Sequence, residues 1–441
     1  MKLLKILFLL AFTSAFSQQN LLQSGPMLGY VEMTEAKIWV QTKAPAKVKV
    51  EYSSPENPSE TFISNEVSTV KDNGYTAHLI LDKIRPGKKY NYKVLINNQP
   101  LKFNYETSFT AKKLWQWRED APEFTVALGS CAYMNEPEVD RPGTPYGGNF
   151  EIFTSIGNKK PDIMLWGGDN IYLREADWDS KTGIYHRYTM TRQQKELQPL
   201  MANSQNFAIW DDHDFGPNDA DRSYYFKHQT LEAFKDFWAN KSYGNNPEQN
   251  NGNFSTFNWG DAEFFLLDNR FHKSPNDRKT GERTVLGKEQ LEWFIDAVTT
   301  SKFPFKIVVI GGQFINSAAK FENHATYPEE RQYILDELEK NNVKGVVFLS
   351  GDRHFSELSG LKRPGKYTLY DWTVSPLTSG VATSALKENN ENRVEGSLFM
   401  QHNFGLLKFF GNKDNRALKL ELFDKDGKTL WNKVITLKEL Q

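Results

Sequence analysis

The sequence holds a single cysteine, Cys131, in 441 residues. An internal disulfide is therefore excluded, and three readings stay open for this residue: an inert buried group, a free thiol or a metal ligand. Long apolar runs are equally scarce. Beyond the first twenty residues none approaches the ~20 needed for a membrane-spanning helix. No block of Lys and Arg occurs and the formal net charge is −1, which gives nucleic acid or an anionic membrane surface no footing. Internal repeats and low-complexity segments are missing too. The charge balance leaves an anionic substrate open, because a bound metal supplies positive charge locally.

What is present is ordinary in amount: 39% hydrophobic and 25% charged residues. That is globular composition, and the length suits two or three domains with a large core. The opening "MKLLKILFLLAFTSAFSQQN" carries Lys2 and Lys5, an apolar run too short to span a bilayer, then small residues at Ala15 and Ser17. It reads as a leader, residues 1–17, cleaved after Ser17. No Cys follows the cut to carry a lipid anchor. The expectation is an exported protein, periplasmic or extracellular, with no stable membrane span.

Residues 20–110 read as a small β-sandwich of the fibronectin III kind. "AKIWVQTKA", "KVKVEYSS", "TAHLILDKI" and "KYNYKVLIN" are β-rich runs, several alternating, punctuated by Pro and Gly. Nothing in this unit carries catalytic chemistry. Residues 111–122 read as a linker. From 123 to 441 apolar runs alternate with helical segments, expected at Thr189–Met201, Gln229–Asn240, Lys288–Thr300 and Pro328–Asn341. This is an α/β layered domain with a largely buried sheet. Its tail, from "NFGLLKFFGN" onward, reads as further strands closing the same domain.

Chemistry collects directly behind the strands. "FTVALG" is followed by Ser130 and Cys131; "DIMLWG" by Gly168, Asp169, Asn170, Ile171 and Tyr172. "FAIW" is followed by Asp211, Asp212, His213 and Asp214, in a stretch of five aspartates ending at Asp221. "EFFLL" leads into Asp268, Asn269 and Arg270; "FKIVVIGG" into Gln313; "KGVVFLSG" into Asp352, Arg353 and His354. Ligands of open α/β sheets bind at the carboxyl ends of the strands. Carboxylates converging there repel one another unless a cation relieves them. Asp suits a hard cation, while Cys, Tyr and His suit a transition metal.

In this order, "GSC", "GGDNIY", "WDDHDFGPND" and "SGDRHFSE", joined by "WTVSPLTSG" at 372–380, resemble the alkaline phosphatase D (PhoD-like) family of metallophosphatases. The resemblance covers roughly residues 123–380. It implies a layered αββα sandwich preceded by the small β domain, and a phosphoric ester hydrolase using two or more metal ions, Fe(III) plus Ca2+, with Zn or Mn remaining open. Asp169 would bridge two ions. Cys131 and Tyr172 would bind the iron-like ion, and Asp212, Asp352 and His354 would complete the metal set. His213 would contact phosphate or the leaving group. Arg270 and Asn218 are candidates for substrate contact. Arg270 is equally placed to pair with Asp268, and Asn218 to form a turn.

The sequence also departs from the broader metallophosphatase pattern. "GSC" replaces an early Asp-x-His motif, Gln313 stands where a metal-binding His is usual, and "GDRH" replaces "GHxH". A C-terminal helix lies over the site in better-known members, whereas this chain reads as ending in strands, which implies a more open site. Asp211 reads as a turn cap, and Asp214, Asp219 and Asp221 as solvated or capping residues. His186, His228, His272, His324 and His402 read as structural or surface. The mechanism implied is attack of a metal-activated hydroxide on a small-molecule or lipid phosphate ester, with His213 aiding the leaving oxygen. Three alternatives stand beside it: a phosphodiesterase or phospholipase D-like activity, metal-free nucleophilic catalysis by Cys131, and a non-catalytic secreted binding protein.

Overall fold

The fold is known from a computed structural model, which describes residues 21–245 and 250–441. The expected leader, residues 1–17, lies outside the described residues.

The described residues of the amino-terminal unit form nine strands: β1 (Leu22–Val31), β2 (Ala36–Thr42), β3 (Lys47–Ser53), β4 (Thr61–Ile63), β5 (Val67–Ser68), β6 (Thr76–Leu81), β7 (Lys89–Ile96), β8 (Gln99–Pro100) and β9 (Ser108–Thr110). Its sheets run β1-β2-β6 and β4-β3-β7-β8, with β5 on β3 and β9 on β7, all antiparallel. Alternate residues such as Ile38, Val40, Val48, Val50, Leu79 and Val94 fill the space between them. This unit is fastened to the larger one by polar contacts. Val31 N donates to Gln205 Oε1 (2.8 Å), Trp39 Nε1 to Asp236 O (2.8 Å) and Tyr92 Oη to Ala202 O (2.7 Å).

The described residues of the larger unit form twelve strands: β10 (Phe124–Gly129), β11 (Ile163–Gly167), β12 (Gln205–Ile209), β13 (Ser255–Trp259), β14 (Ala262–Leu266), β15 (Phe305–Val309), β16 (Val346–Ser350), β17 (Glu357–Leu361), β18 (Leu369–Thr373), β19 (Asn403–Phe410), β20 (Ala417–Asp424) and β21 (Thr429–Thr436). They form two six-stranded sheets, β12-β11-β10-β19-β20-β21 and β13-β14-β15-β16-β18-β17. The tail strands β19–β21 join antiparallel beside β10.

Period-two alternation decides the layers. Val126, Leu128, Ile163, Leu165, Ile307, Val309, Val347 and Leu349 point between the sheets. Their neighbours Ala127, Met164 and Trp166 face one helical layer, while Val308, Val346 and Phe348 face the other. One layer contains the helices Glu151–Asn158, Lys181–Arg192, Gln198–Asn203 and Lys227–Phe237; the other contains Lys288–Thr300 and Pro328–Lys340. The architecture is a four-layer αββα sandwich. The single helix expected over Thr189–Met201 is two. Pro199 cannot sit in a helix interior, and it falls in the first turn of the second helix.

Candidate metal centre

The parallel strands β10, β11, β12, β14, β15 and β16 all end at one rim, where backbone bonds tie their loops together. Cys131 N donates to Gly168 O (3.1 Å), Ala132 N to Asp169 O (2.8 Å), Leu173 N to His213 O (3.0 Å) and Gly351 N to Gly311 O (2.8 Å). Gly311 permits this approach: a Cβ there would collide with Asp211 Oδ2. Four non-glycine residues at the rim have left-handed backbones: Cys131 (φ 61°), Asp169 (51°), Asp352 (66°) and His354 (56°). Each costs on the order of 1–3 kcal/mol, and strain of this kind gathers at functional sites.

The side chains converge. Cys131 Sγ lies 3.6 Å from Asp169 Oδ2. Tyr172 Oη lies 3.3 Å from the same carboxylate oxygen and 3.2 Å from His354 Nε2. Among the described residues four overlapping sets have ligand atoms within 4.8 Å of one another: Cys131, Asp169 and His354; Asp169, Asp212 and His213; Asp211, Asp212 and Asp352; and Asp212, Asp219 and Glu322, the last already holding Arg270 and Lys273 on Glu322. Asp169 and Asp212 are the shared members, so the first three sets read as two adjacent cation positions. The first is rich in soft donors and the second is all carboxylate, a division that fits a transition metal beside a harder ion.

The electrostatics call for positive charge. Burial, with Asp212 and Cys131 beside it, drives the Asp169 carboxyl far above its usual range. Burial and the neighbouring Asp211 and Asp212 do the same to Asp352. Burial, then Asp352, pushes the Cys131 thiol up to about 12. Burial also acts to raise Asp212, but His213, Arg270 and the Asp219 amide outweigh it and hold the carboxyl at about 2. Two carboxylate oxygens, Asp211 Oδ2 and Asp212 Oδ1, are buried with no hydrogen-bond partner among the described residues. Orphaned acidic oxygens of this kind are what a cation satisfies. The thiol, buried and protonated near neutrality, is unsuited to metal-free nucleophilic catalysis.

All the residues anticipated as metal ligands, Cys131, Asp169, Tyr172, Asp212, Asp352 and His354, lie at this rim. His213 joins them, 23% exposed, its ring 4.3 Å from that of Tyr172. Of these residues Tyr172 and His213, together with Asn218, line a cleft of about 740 Å3 beside the rim. Arg270 departs from expectation. Its guanidinium is 2% exposed and bound to Asp211 and to Glu322 (2.8 Å), with Asp212 at 3.7 Å; Asp268 meets only its backbone N–H. Asp214 is fully buried rather than solvated, while its capping role holds: it accepts from the backbone N–H of Asp211, closing a capping box, and from that of Asn170. Gln313 belongs to a polar network with Glu357, Thr373, Asn316 and Arg353.

Asp211 caps the turn as expected, through its side chain (3.0 Å to Asp212 N), and also joins the carboxylate set. Sequence reasoning missed several neighbours. Ser375 Oγ donates to Cys131 Sγ (3.1 Å), and Ser379 Oγ lies 3.4 Å from His354 Nε2. Both serines sit in "WTVSPLTSG", so that motif was the available signal. Tyr146 Oη lies 3.1 Å from His354 Nδ1, with no motif to announce it.

A sequence profile described as PhoD-like phosphatase matches residues 126–426. The chain belongs to the PhoD-like phosphatase family. A second profile, described as a domain of unknown function (DUF7800), matches residues 19–114. Alkaline phosphatase D of Bacillus subtilis (strain 168) is 24% identical over 338 residues, 65% of this chain and 54% of that protein. The chain thus matches about half the length of this curated relative. Among solved structures, one titled as PhoD superposes with a TM-score of 0.73 at 17% identity, covering 92% of this chain and 91% of the other. Purple acid phosphatase PPD1 from yellow lupin (Lupinus luteus) seeds gives 0.65 at 15% identity, covering 93% and 74%. These two likenesses bear on the fold; PhoD-like membership rests on the profile match. Among the described residues no helix is long and apolar enough to cross a membrane.

Proposed function

We propose that the chain is an exported, metal-dependent phosphoric ester hydrolase acting on small phosphate esters. One observation carries this: the overlapping donor sets that share Asp169 and Asp212. Cys131, Asp169, Tyr172 and His354 would hold an iron-like ion, and Asp169, Asp211, Asp212 and Asp352 a harder one such as calcium. Bound ions there would lower the pKa of a water toward neutrality and offset charge on the phosphoryl oxygens.

The protein's own groups do the rest. Asp212 stays ionised because His213 and Arg270 flank it. His213, 23% exposed on the cleft side of the rim, is the group placed to hand a proton to the departing oxygen, help worth roughly 10²–10⁴-fold; burial lowers its pKa, and Asp212, 4.0 Å away, opposes that by favouring the protonated ring. Asn218 offers an amide to phosphate at the mouth of the cleft. Arg270 acts from behind, fixing Asp211 and Asp212 against each other's repulsion.

Turnover of an aryl phosphate monoester and an aryl diester, before chelation, after chelation and after metal add-back, tests this reading. Loss on chelation with return on add-back is expected. Activity that survives chelation and dies on thiol alkylation would refute it, and the ratio of the two rates decides between phosphatase and phosphodiesterase.

A further inference from the structure

Segment 132–150 has no counterpart among the motifs, yet it builds one wall of the cleft over the rim. It contains no helix or strand, but its shape is fixed. Asn135 Nδ2 donates to Gly147 O (2.8 Å) and Gly147 N to Asn135 Oδ1 (2.9 Å). Tyr133 Oη and the Glu136 amide both donate to Asp140 (2.8 and 2.6 Å). Gly148 N is held by Thr378 O (2.6 Å). The wall is therefore pre-formed, as small-molecule pockets usually are.

The wall presents ring faces. Tyr146 is 47% exposed, stands edge-on to Tyr133 (centroids 4.8 Å, 72°) and meets His354 through its hydroxyl and, at 6.0 Å between centroids, through its ring. Trp178 lines the same cleft, its indole fixed by Nε1 donating to Leu173 O (3.1 Å). Polar groups interrupt the apolar faces: Asn218 and Glu175 line the cleft, as does Arg141, whose side chain is 91% exposed and 3.9 Å from Glu175. A long acyl chain laid along this cleft would strip water from those charges. A glycerol-sized group would leave the rings wet.

We propose that this cleft selects phosphate esters whose organic part is a planar ring with hydrogen-bonding edges, of nucleoside size, and that Tyr146 and Trp178 are the residues that select it. The proposal rests on the hydrolase reading above and names its substrate class. Stacking on one aromatic side chain is worth roughly 10- to 100-fold, and that should appear mainly in KM.

The test compares kcat/KM of the metal-loaded protein for adenosine 5′-monophosphate, glycerol 3-phosphate and monomeric lysophosphatidate. The nucleotide is expected to lead by at least about 10-fold, with the lead reduced toward one in W178A and Y146A and kept in W178F and Y146F. Equal use of nucleotide and glycerol ester, preference for the lysolipid, or a lead that survives both alanine variants would overturn the proposal. If the protein turns over none of the three, the hydrolase reading fails separately. Recognition is then decided by indole fluorescence: quenching by the nucleotide that is absent with glycerol 3-phosphate and lost in W178A upholds it, and no quenching overturns it.

Discussion

Replacing Cys131 by serine isolates the thiolate from every other donor at the rim. The thiol is fully buried, and burial together with Asp352 pushes its pKa up to about 12. At pH 8 such a group is ionised in roughly one molecule in 10⁴, so creating the thiolate costs about 5 kcal/mol at 1.36 kcal/mol per pH unit. A cation that takes the sulfur as ligand must overcome that cost, and it releases one proton in doing so. Apparent affinity at this position should therefore rise with pH about tenfold per unit more steeply in the wild type than in C131S. Both proteins keep Asp169, Asp352 and His354, so their proton release cancels in the comparison. Competition against a chromophoric chelator between pH 7 and 9 measures the two slopes, and a sulfur-to-metal charge-transfer band gives an independent reading. Parallel slopes with an unchanged spectrum would refute thiolate ligation.

Other outcomes follow from the same geometry. His213→Ala should lower kcat for alkyl phosphates by roughly 10²–10⁴-fold and far less for p-nitrophenyl phosphate, whose leaving group needs no proton; equal losses would remove His213 as acid. Arg270→Ala leaves Asp211 and Glu322 buried without their shared cation, so denaturant unfolding should show about 3–5 kcal/mol of destabilisation; a change in kcat alone would place Arg270 on the substrate instead. Between the two units, burial and then Lys37 lower the pKa of His78 to about 4. The folded state thus refuses a proton that the unfolded chain takes up. Stability is full above pH 6.5 and falls by about 3 kcal/mol as pH drops toward 4. Subtracting the pH profile of H78Q should recover that loss; superimposable profiles would contradict it.

The layers were legible in the sequence because strands β10, β11, β12, β15 and β16 are short apolar runs, each ending at a polar turn. The residues behind those runs were legible for the same reason, since strand direction alone delivers Cys131, Asp169, Asp212 and Asp352 to one rim. Pairings across long separations were not. Arg270 reads as a substrate contact or a partner of Asp268 until Asp211, 59 positions away, folds against it. Asp214 reads as solvated or capping; its cap on the Asp211 N–H is local, but nothing local reveals that the Asn170 amide, 44 positions earlier, will cover it. Gln313 occupies a recognisable slot, but its hydrogen bonds to Glu357 and Thr373 depend on strands later in the chain. Tyr146 lies in a stretch with no periodicity at all, so its contact with His354 has no sequence signal.

The most direct test is anomalous diffraction from crystals of the metal-loaded protein. The expected result is two peaks roughly 3.5–4 Å apart, one bonded to Cys131, Asp169, Tyr172 and His354, the other to Asp169, Asp211, Asp212 and Asp352. Ordered density at this rim with no metal peak, or metal bound elsewhere on the chain, would contradict the account.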